Sequence, residues 1–169
     1  MVNVRPHAEP SHHPRGRFHV LLTEDDIPRA DTHWTRQFSR LLEPQGVQAH
    51  VARCGQEAIE LAGRLQFHAA VIELGTPRAP DSDALPALGV PGGLWLLELF
   101  HRLPQRPPVV VVNSRYVNPR DLERFLREAL RLGAFSVLNQ PVDLNRLLTV
   151  LRKLVDRQYR GAWPHSASS

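Results

Sequence analysis

The sequence predicts an α/β fold, a five-stranded parallel sheet doubly wound by helices in a (βα)5 order. Residues 69–74 and Val109–Val112 are short apolar runs without polar alternation, bounded by Gly, Pro and Asn, which is typical of strands buried on both faces. Segments with helical spacing of apolar residues alternate with such strands. Right-handed crossovers place a chain of this pattern in one parallel sheet with helices on both faces.

Composition indicates one soluble domain with a core of its own. The chain has 169 residues, of which 42% are hydrophobic and 22% charged, and no apolar run approaches the roughly 20 residues that span a bilayer. No secretory signal is recognisable. The single cysteine, Cys54, excludes an internal disulfide and favours a reducing compartment, so we expect a cytoplasmic protein. The net charge of +4 is mild for a nucleic-acid binder.

The folded body is predicted over residues 17–160. Residues 1–16 are rich in Pro and His and are predicted to form a disordered basic arm, and residues 161–169 a flexible tail. Within the body, residues 75–92 form a long inserted loop that is rich in Pro and poor in charge. Because loops of this length are uncommon unless they have a function, this one is expected to matter.

The first half of the body alternates strand and helix up to a central strand. Strand one covers residues 18–23, Pro28 opens the first helix, and strand two covers residues 47–51. Gly55 precedes the second helix, which extends to about Leu65. The inner side of that helix is predicted from Ala58, Ile59, Leu61, Ala62 and Leu65. Strand three, residues 69–74, is the central strand and carries one carboxylate.

The second half continues the same alternation. The third helix covers residues 93–103, and strand four is Val109–Val112. The fourth helix covers residues 119–132. Its inward positions are predicted to be Leu122, Phe125, Leu126, Ala129 and Leu130. Strand five covers residues 135–138, and the last helix covers residues 144–157.

Polar side chains follow four of the strands at the edge where the carboxyl ends of parallel strands meet. In open α/β sheets this edge carries the functional site. Glu73, at the end of the central strand, is therefore the expected centre of that site. The side chains that converge on it are Glu24 and Asp25 after strand one, Asn113 and Ser114 after strand four, and Gln140 after strand five.

Four motifs, in this order, resemble the receiver domain of bacterial two-component response regulators. They are HVLLTEDD, VIELGTP with Pro four residues after the acid, PPVVVVNS, and LGAFSVLNQPVDLNRLL. The resemblance spans roughly residues 17–158 and implies the flavodoxin-like receiver fold. Because several functional positions depart from the family pattern, it also implies a degenerate, or pseudo-receiver, variant.

The resemblance implies roles for the residues of the site. Glu24 and Asp25 match the acidic pair that holds Mg²⁺ in working receivers. Glu73 stands where the family has the Asp that accepts a phosphoryl group, so these three acids define a possible Mg²⁺ site. Gln140 stands where the family has a Lys that contacts the phosphoryl group.

Two further positions also depart from the family pattern. Asn113 stands where the family has Thr or Ser, although a one-residue slip would put Ser114 there. Asn can donate a hydrogen bond but lacks a hydroxyl. Val137 stands where many receivers have a Tyr or Phe that rotates on activation. The groups that respond to a phosphoryl group are therefore altered as well as the acceptor.

Phosphorylation is predicted to be lost or very poor. Glu carries its carboxylate about 1.5 Å farther out than Asp, roughly one bond length. A misplacement of about 1 Å can cost about a hundredfold in rate. Gln140 also lacks the positive charge that would neutralise charge developing on a phosphoryl group.

The three carboxylates of Glu24, Asp25 and Glu73 leave alternatives open. Crowded like charges raise one another's pKa unless a cation intervenes. Either Mg²⁺ or Ca²⁺ binds among their oxygens, or one carboxyl is protonated or paired, for example with Arg115. A pocket without function is about as well supported as a structural metal. Mimicry of an acyl phosphate by Glu73 is disfavoured, because the Lys and the aromatic residue that detect the phosphoryl group are missing.

Two surfaces are candidates for partner binding. In receivers the fourth and fifth helices flank the output surface, so a basic surface there would suit an acidic protein partner; two solvated helix faces are the alternative. The basic residues are Arg120, Arg124, Arg127 and Arg131 on the fourth helix, and Arg146, Lys153 and Arg157 on the last. On the third helix, Trp95 and Leu99 form an apolar outer stripe, covered by the inserted loop in the preferred interpretation and by another chain in the second.

Three functions follow from these observations. The favoured one is a phosphorylation-independent, atypical receiver that is not an enzyme and that binds a histidine kinase or another signalling protein, with a homodimer also open. The second is a phosphorylatable single-domain response regulator in a phosphorelay, with Asp25 or Glu73 as acceptor. The third, least favoured, is a nucleic-acid-binding regulator that uses the basic helices.

Overall fold

Five parallel strands alternate with helices in the computed structural model, which describes residues 17–25, 34–81, 89–113 and 119–160. The strands are β1 Phe18–Thr23, β2 Val47–Ala52, β3 Ala69–Glu73, β4 Val109–Val112 and β5 Ser136–Leu138. The helices are α1 Trp34–Leu42, α2 Gly55–Arg64, α3 Gly92–His101, α4 Pro119–Arg131 and α5 Leu144–Tyr159, and a short 3-10 helix covers Glu43–Gln45. The predicted fold class is confirmed.

The sheet has the order β2-β1-β3-β4-β5, and each neighbouring pair is parallel. β3 is therefore central, and all five of its residues are buried. In register, Val20 lies beside Ala69, and Ile72 lies beside Val111. Helices cover both faces of this sheet, which explains why its central strands have no polar alternation.

The sheet separates two apolar cores. On one face, Leu21, Ile72 and Val111 pack with residues of α2, α3 and α4. On the other face, the remaining strand side chains pack against α1 and α5. The fully buried helical residues of this second core include Phe38, Leu42, Leu147, Leu151 and Leu154. The strong burial on both faces makes the ends of the central strands the place where functional side chains are expected.

Two predicted inward positions are wrong. The side chain of Ile59 is 38% exposed and that of Leu130 is 56% exposed. Both stand at the border of an apolar stripe, and helical spacing alone does not say where the stripe meets the neighbouring element. The buried positions of α2 are Gly55 and Ala58, so this helix meets the core along a narrower face than predicted. Leu96, by contrast, is fully buried and was not predicted.

Element boundaries differ from prediction by one or two residues. β5 begins at Ser136, although the N–H of Phe135 already donates to the carbonyl of Val109 on β4. α2 ends one residue earlier than predicted, at Arg64, and α5 extends to Tyr159. α3 covers Gly92–His101 instead of residues 93–103.

Some predictions concern parts of the chain that lie outside the described residues. These parts are the arm at 1–16, the tail at 161–169, the start of the first helix at Pro28, and residues 82–88 of the inserted loop. Ser114 and Arg115 also lie outside. No described helix is both long enough and apolar enough to cross a bilayer.

Three histidines cluster away from the predicted site: His19 and His68 lie near the amino ends of β1 and β3, and His50 lies on the edge strand β2. His68 Nδ1 accepts a hydrogen bond of 2.9 Å from the backbone N–H of His19, whose carbonyl accepts one of 2.9 Å from the N–H of His68. His19 Nδ1 and His50 Nε2 are 2.9 Å apart. The hydroxyl of Tyr159 on α5 donates to the carbonyl of His68. The His68 ring thus provides an acceptor at the point where β1 and β3 begin to pair.

We expect acid to destabilise the domain through His68. Burial, and then the charge of His19, lower the pKa of His68 below its ordinary value of 6.5. Below that pH the unfolded chain binds a proton that the folded chain does not, so stability falls as the pH falls. His68→Asn keeps an acceptor for the N–H of His19 and should flatten this slope, whereas His68→Ala should cost about 1 kcal/mol at neutral pH.

Urea unfolding of these variants from neutral to mildly acidic pH checks the expectation. The pKa of His50 is lowered in the same direction, so the slope in His68→Asn should shrink without disappearing. His101→Asn, which replaces an exposed histidine, is the control and should keep the wild-type slope. An unchanged slope in His68→Asn would contradict the assignment.

Candidate functional site

The carboxyl ends of the strands bring the sequence-predicted residues to one edge of the sheet. β1 continues into Glu24 and Asp25, β3 ends at Glu73, and Asn113 follows β4. Val112 lies in register with Glu73 on one side and with Leu138 on the other, so the three strands end at the same level. The side chains after these strands therefore share one pocket, called the acid pocket below.

Glu73 is the buried centre of the acid pocket, with 2% of its surface exposed. Its Oε1 accepts a hydrogen bond of 2.5 Å from Nε2 of Gln140. The indole of Trp34, the first residue of α1, also donates to its carboxylate, and its carboxyl is hydrogen-bonded to that of Asp25. Two carboxyl groups can share a hydrogen bond only when one of them carries a proton.

The surroundings of Glu73 favour its protonated form. Burial is the largest cause, followed by the negative charge of Asp25 and the hydrogen bond to it, and together they raise the pKa of Glu73 from 4.5 to about 8. The donors Trp34 and Gln140 oppose this shift but do not cancel it. With a pKa of about 8, Glu73 is largely uncharged at neutral pH.

Glu24 has a partner of its own on α1. The hydroxyl of Thr35, which is fully buried, donates to Oε1 of Glu24. The backbone N–H of Glu24 donates to the carbonyl of Ala52 at 3.1 Å, which continues the pairing between β1 and β2. Consecutive residues of α1 thus bind two acids that the sequence assigned to one cation site.

The acid pocket does not fit the divalent cation that the fold implies. A cation such as Mg²⁺ needs several deprotonated oxygens turned toward one point. Here burial and Asp25 raise the pKa of Glu73 and favour its protonated form, while Thr35 donates to Glu24 and Gln140 donates to Glu73. Among the residues that the structure describes, no group of three His, Cys, Asp or Glu side chains is arranged to hold a metal ion.

Asn113 lies half-buried beside the pocket. Its Nδ2 lies 3.5 Å from Oδ1 of Asn139, and its backbone N–H donates to the carbonyl of Leu138 at 2.7 Å. Its Oδ1 is buried without a hydrogen-bond partner in the described part of the chain. The position that the family fills with a hydroxyl therefore carries an amide directed to the end of β5. Ser114, the other candidate for this position, is not among the described residues.

Two buried threonines, which were not predicted, hold the backbone at Glu73 in place. Thr23 Oγ1 accepts a hydrogen bond of 2.9 Å from the backbone N–H of Glu73 and lies 2.6 Å from Thr76 Oγ1. Both threonines are fully buried. The hydroxyl pair connects the end of β1 to the loop after β3. Only the presence of Thr at the last position of an otherwise apolar strand could have indicated this role.

Trp34 and Thr35 are also site residues that the sequence did not identify. By its spacing Trp34 fits the apolar side of the first helix, and it does pack near Phe38, with 6.4 Å between ring centroids. Its indole N–H gives it a second contact, with Glu73. A tryptophan and a threonine at the start of a helix that follows an acidic strand end are the signal that could have found them.

The loop after β3 is held between two helix starts. The carbonyl of Pro77 accepts a hydrogen bond of 2.7 Å from the N–H of Gly55, and the carbonyl of Arg78 accepts one of 2.9 Å from the N–H of Gln56. The guanidinium of Arg78 lies over the ring of Trp95, 5.4 Å from its centroid. The described start of the inserted loop therefore covers Trp95 in part, and Trp95 is half-buried within the chain.

Leu99, the second residue of the apolar outer stripe on α3, is also half-buried. Val90, at the end of the inserted loop, is 37% exposed. Residues 82–88, on which the interpretation of loop cover chiefly rested, lie outside the described residues. Whether another chain contacts Trp95 and Leu99 stays a prediction.

The arginine stripe on α4 is largely paired with acids of the same helix. Arg124 lies 3.4 Å from Asp121, Arg127 pairs with Glu123, and Arg131 donates to Glu128 at 2.8 Å. All these side chains are largely exposed, and such pairs contribute little to stability. They do reduce the positive potential of the stripe, which also includes Arg120.

The basic residues of α5 are exposed. Arg146 lies in its first turn and Lys153 in its middle, while Arg157 lies near its end with its guanidinium 5.8 Å from the ring centroid of Phe135. Arg152 donates to Gln45 at 3.1 Å. This surface is less neutralised by neighbouring acids than the surface of α4 and is the better candidate for an acidic partner.

The fold, with the acid pocket at the carboxyl ends of its strands, is that of CheY-like receiver domains of response regulators. Among solved structures, the chain is similar to a CheY-like receiver domain protein from Methanospirillum hungatei JF-1, with a TM-score of 0.64, 21% identity, and coverage of 86% of this chain and 98% of that one. It is equally similar to the signal receiver domain of an HD domain-containing protein from Pseudomonas fluorescens Pf-5, with a TM-score of 0.64, 21% identity, and coverage of 85% and 98%.

A third similar structure is a response regulator from Burkholderia pseudomallei that contains a phosphorylated aspartic acid and a calcium ion. Its TM-score is 0.59 at 21% identity, with coverage of 86% of this chain and 73% of that one. At such identities the likeness shows the fold alone. No protein-family model matches the sequence, and the search of curated proteins gives no match.

Proposed function

We propose that this chain is a receiver-fold signalling module that acts by binding another protein and does not use phosphoryl transfer. The observation that carries the proposal is the 2.5 Å hydrogen bond from Gln140 to the buried carboxyl of Glu73. In the family the corresponding residues are a Lys and an Asp. Here the amide of Gln140 donates to the carboxyl of Glu73, so both side chains have a hydrogen-bond partner without a phosphoryl group.

The protonation of Glu73 supports the proposal. Attack on phosphorus needs a carboxylate with a free lone pair, and a carboxyl whose pKa is about 8 is mostly protonated at neutral pH. Nor does Gln140 offer a positive charge for the developing charge of a transferred phosphoryl group. Both effects act in the same direction, against phosphorylation and against any enzymatic role for the pocket.

We expect no phosphoryl adduct when the purified chain is incubated with acetyl phosphate and Mg²⁺. Intact-mass spectrometry measures the adduct, and a receiver domain with an Asp acceptor serves as the positive control in the same reaction. The half-exposed Asp25 is the other candidate acceptor, so Asp25→Asn is measured in parallel. An adduct on the wild-type chain would overturn the proposal, and its loss in Asp25→Asn would instead support the phosphorylatable response regulator.

The partner proposed is a signalling protein, such as a histidine kinase, that presents an acidic surface to α5. Arg146, Lys153 and Arg157 are exposed there, and complementary charge speeds and orients such association. A homodimer through Trp95 and Leu99 is the alternative contact. Nucleic-acid binding is less favoured, because Arg124, Arg127 and Arg131 of α4 are paired with acids of their own helix.

A further inference from the structure

The first turn of α1 is connected to the acid pocket by two side chains in succession. Trp34 donates its indole N–H to the carboxylate of Glu73, and Thr35 donates its hydroxyl to Glu24. The two acids come from neighbouring strands, β3 and β1. The first turn of α1 therefore contacts both Glu73 and Glu24. These contacts are separate from the hydrogen bond that Gln140 donates to Glu73.

These two donors compete directly with a cation. N–H and O–H groups bind a carboxylate through the oxygen lone pairs that a divalent cation would use. Their hydrogen atoms carry partial positive charge and already occupy positions beside the oxygens. A cation could enter only after the indole of Trp34 and the hydroxyl of Thr35 turn away.

The rest of α1 is anchored independently of this turn. Phe38 and Leu42, one and two turns farther on, are fully buried in the core between the sheet and α5. Trp34 is only half-buried. Opening of the first turn would separate Trp34 from Phe38 and expose Thr35, but it would leave Phe38 and Leu42 in the core, so it can occur as a local opening separate from global unfolding.

We propose that Trp34 and Thr35 form a latch by which the first turn of α1 closes the acid pocket, so that docking of this turn and binding of a divalent cation exclude each other. The proposal rests on the proposed function in one respect, because it takes the closed pocket to be the resting state of the module. It adds that α1 is the element through which this pocket would respond to a ligand.

The latch is tested by removing the two donors without changing shape. Thr35→Val replaces the hydroxyl by a methyl group, and Trp34→Phe keeps an aromatic ring but removes the N–H. Isothermal titration calorimetry with Mg²⁺ alone, and then Mn²⁺ alone, measures the affinity of each variant. We expect no saturable binding to the wild-type chain at millimolar cation, and affinity at least about tenfold higher in the double variant, each tenfold being about 1.4 kcal/mol.

Two control variants separate the latch from general loosening. Thr35→Ser keeps the hydroxyl and should behave as wild type. Thr149→Val makes the same methyl-for-hydroxyl change on the exposed side of α5, where the hydroxyl donates to the carbonyl of Asn145, and should not change cation affinity. If the double variant does not fold, the single variant Thr35→Val decides the question. This variant keeps Trp34, and the NMR resonance of the Trp34 indole N–H should shift when Mg²⁺ is added.

The outcomes are distinct from those of the phosphodonor experiment. Equal, weak cation binding by the wild-type chain and by the folded variants would overturn the latch and leave the proposed function intact. Saturable binding of Mg²⁺ to the wild-type chain, without a shift of the Trp34 indole resonance, would overturn it as well. Gain of affinity in Thr35→Val but not in Thr35→Ser, together with absence of a phosphoryl adduct on the wild-type chain, would support both proposals.

Discussion

Replacing Glu73 with Gln is expected to make the domain more stable than the wild-type chain above pH 8. Burial first, and then Asp25, raise the pKa of Glu73 to about 8 from an ordinary value of 4.5. Between these two values the folded chain holds a proton that the unfolded chain has released. The stability that comes from this proton is complete below pH 4.5 and is lost as the pH rises through about 8.

The magnitude follows from the size of the pKa shift. Each unit corresponds to about 1.4 kcal/mol, so stability should decline by roughly 4–5 kcal/mol from acid to alkaline pH through Glu73 alone. Gln has nearly the shape of protonated Glu and stays neutral at every pH. Its oxygen can accept from Gln140 and Trp34 while its amide donates to Asp25, so we expect a gain of about 2 kcal/mol or more above pH 8.

Urea unfolding at several values between pH 6.5 and 9 measures this effect. The pKa values of His50 and His68 are lowered from 6.5, so these histidines stay neutral across that range in the folded chain and contribute little slope. Glu60→Gln, which removes an exposed carboxylate of α2, is the control and should follow the wild-type curve. Parallel curves for Glu73→Gln and wild type would mean that the pocket does not hold the proton.

The fold could be predicted because its central strands consist almost entirely of apolar residues. Val109–Val112 and the residues of β3 have no polar alternation, and only a sheet covered on both faces accommodates such runs. Glu73 and Gln140 could be placed together for the same reason, since the carboxyl ends of parallel strands share one edge. That prediction needed strand order and direction but no side-chain detail.

The partners of these residues could not be predicted, because they depend on how a helix approaches the sheet edge. Trp34 fits an apolar stripe by its spacing, and only the position of α1 brings its indole N–H to Glu73. Thr23 is a polar residue at the end of an otherwise apolar strand, and this weak signal does not reveal its contact with Thr76. The prediction that Leu130 faces the core was wrong for a related reason. Its spacing fits the apolar stripe, but its side chain is 56% exposed because no described element covers it.

One added methyl group at Gly93 is expected to destabilise the domain severely. A Cβ at this position would lie 2.2 Å from the carbonyl oxygen of Glu73 and 2.7 Å from Cα of Leu74. These are backbone atoms of the β3 exit, so no side-chain rotation relieves the overlap. The N–H of Gly93 also donates to the carbonyl of Leu74 at 3.1 Å, and α3 would lose this bond if it moved away.

The expected loss for Gly93→Ala is about 3 kcal/mol or more, at the upper end of overpacking effects. Gly63→Ala is the matched control, because a Cβ at Gly63 meets nothing within 4 Å and its position in α2 is helical. That variant should gain about 0.5–1 kcal/mol, since Ala is favoured over Gly inside a helix. Two identical chemical changes should therefore shift the thermal midpoint in opposite directions.

The consequence of Gly93→Ala for the site follows from what Glu73 contacts. The carbonyl of Glu73 accepts from the N–H of Thr76, and Thr76 holds Thr23 through its hydroxyl. A shift of α3 away from β3 would loosen this support, and with it the hydrogen bond of Gln140 to Glu73. Thermal unfolding and the pH dependence of stability should therefore change together in Gly93→Ala. A variant as stable as wild type would mean that α3 does not sit on the end of β3, and the close backbone approach that fixes Glu73 would have to be abandoned.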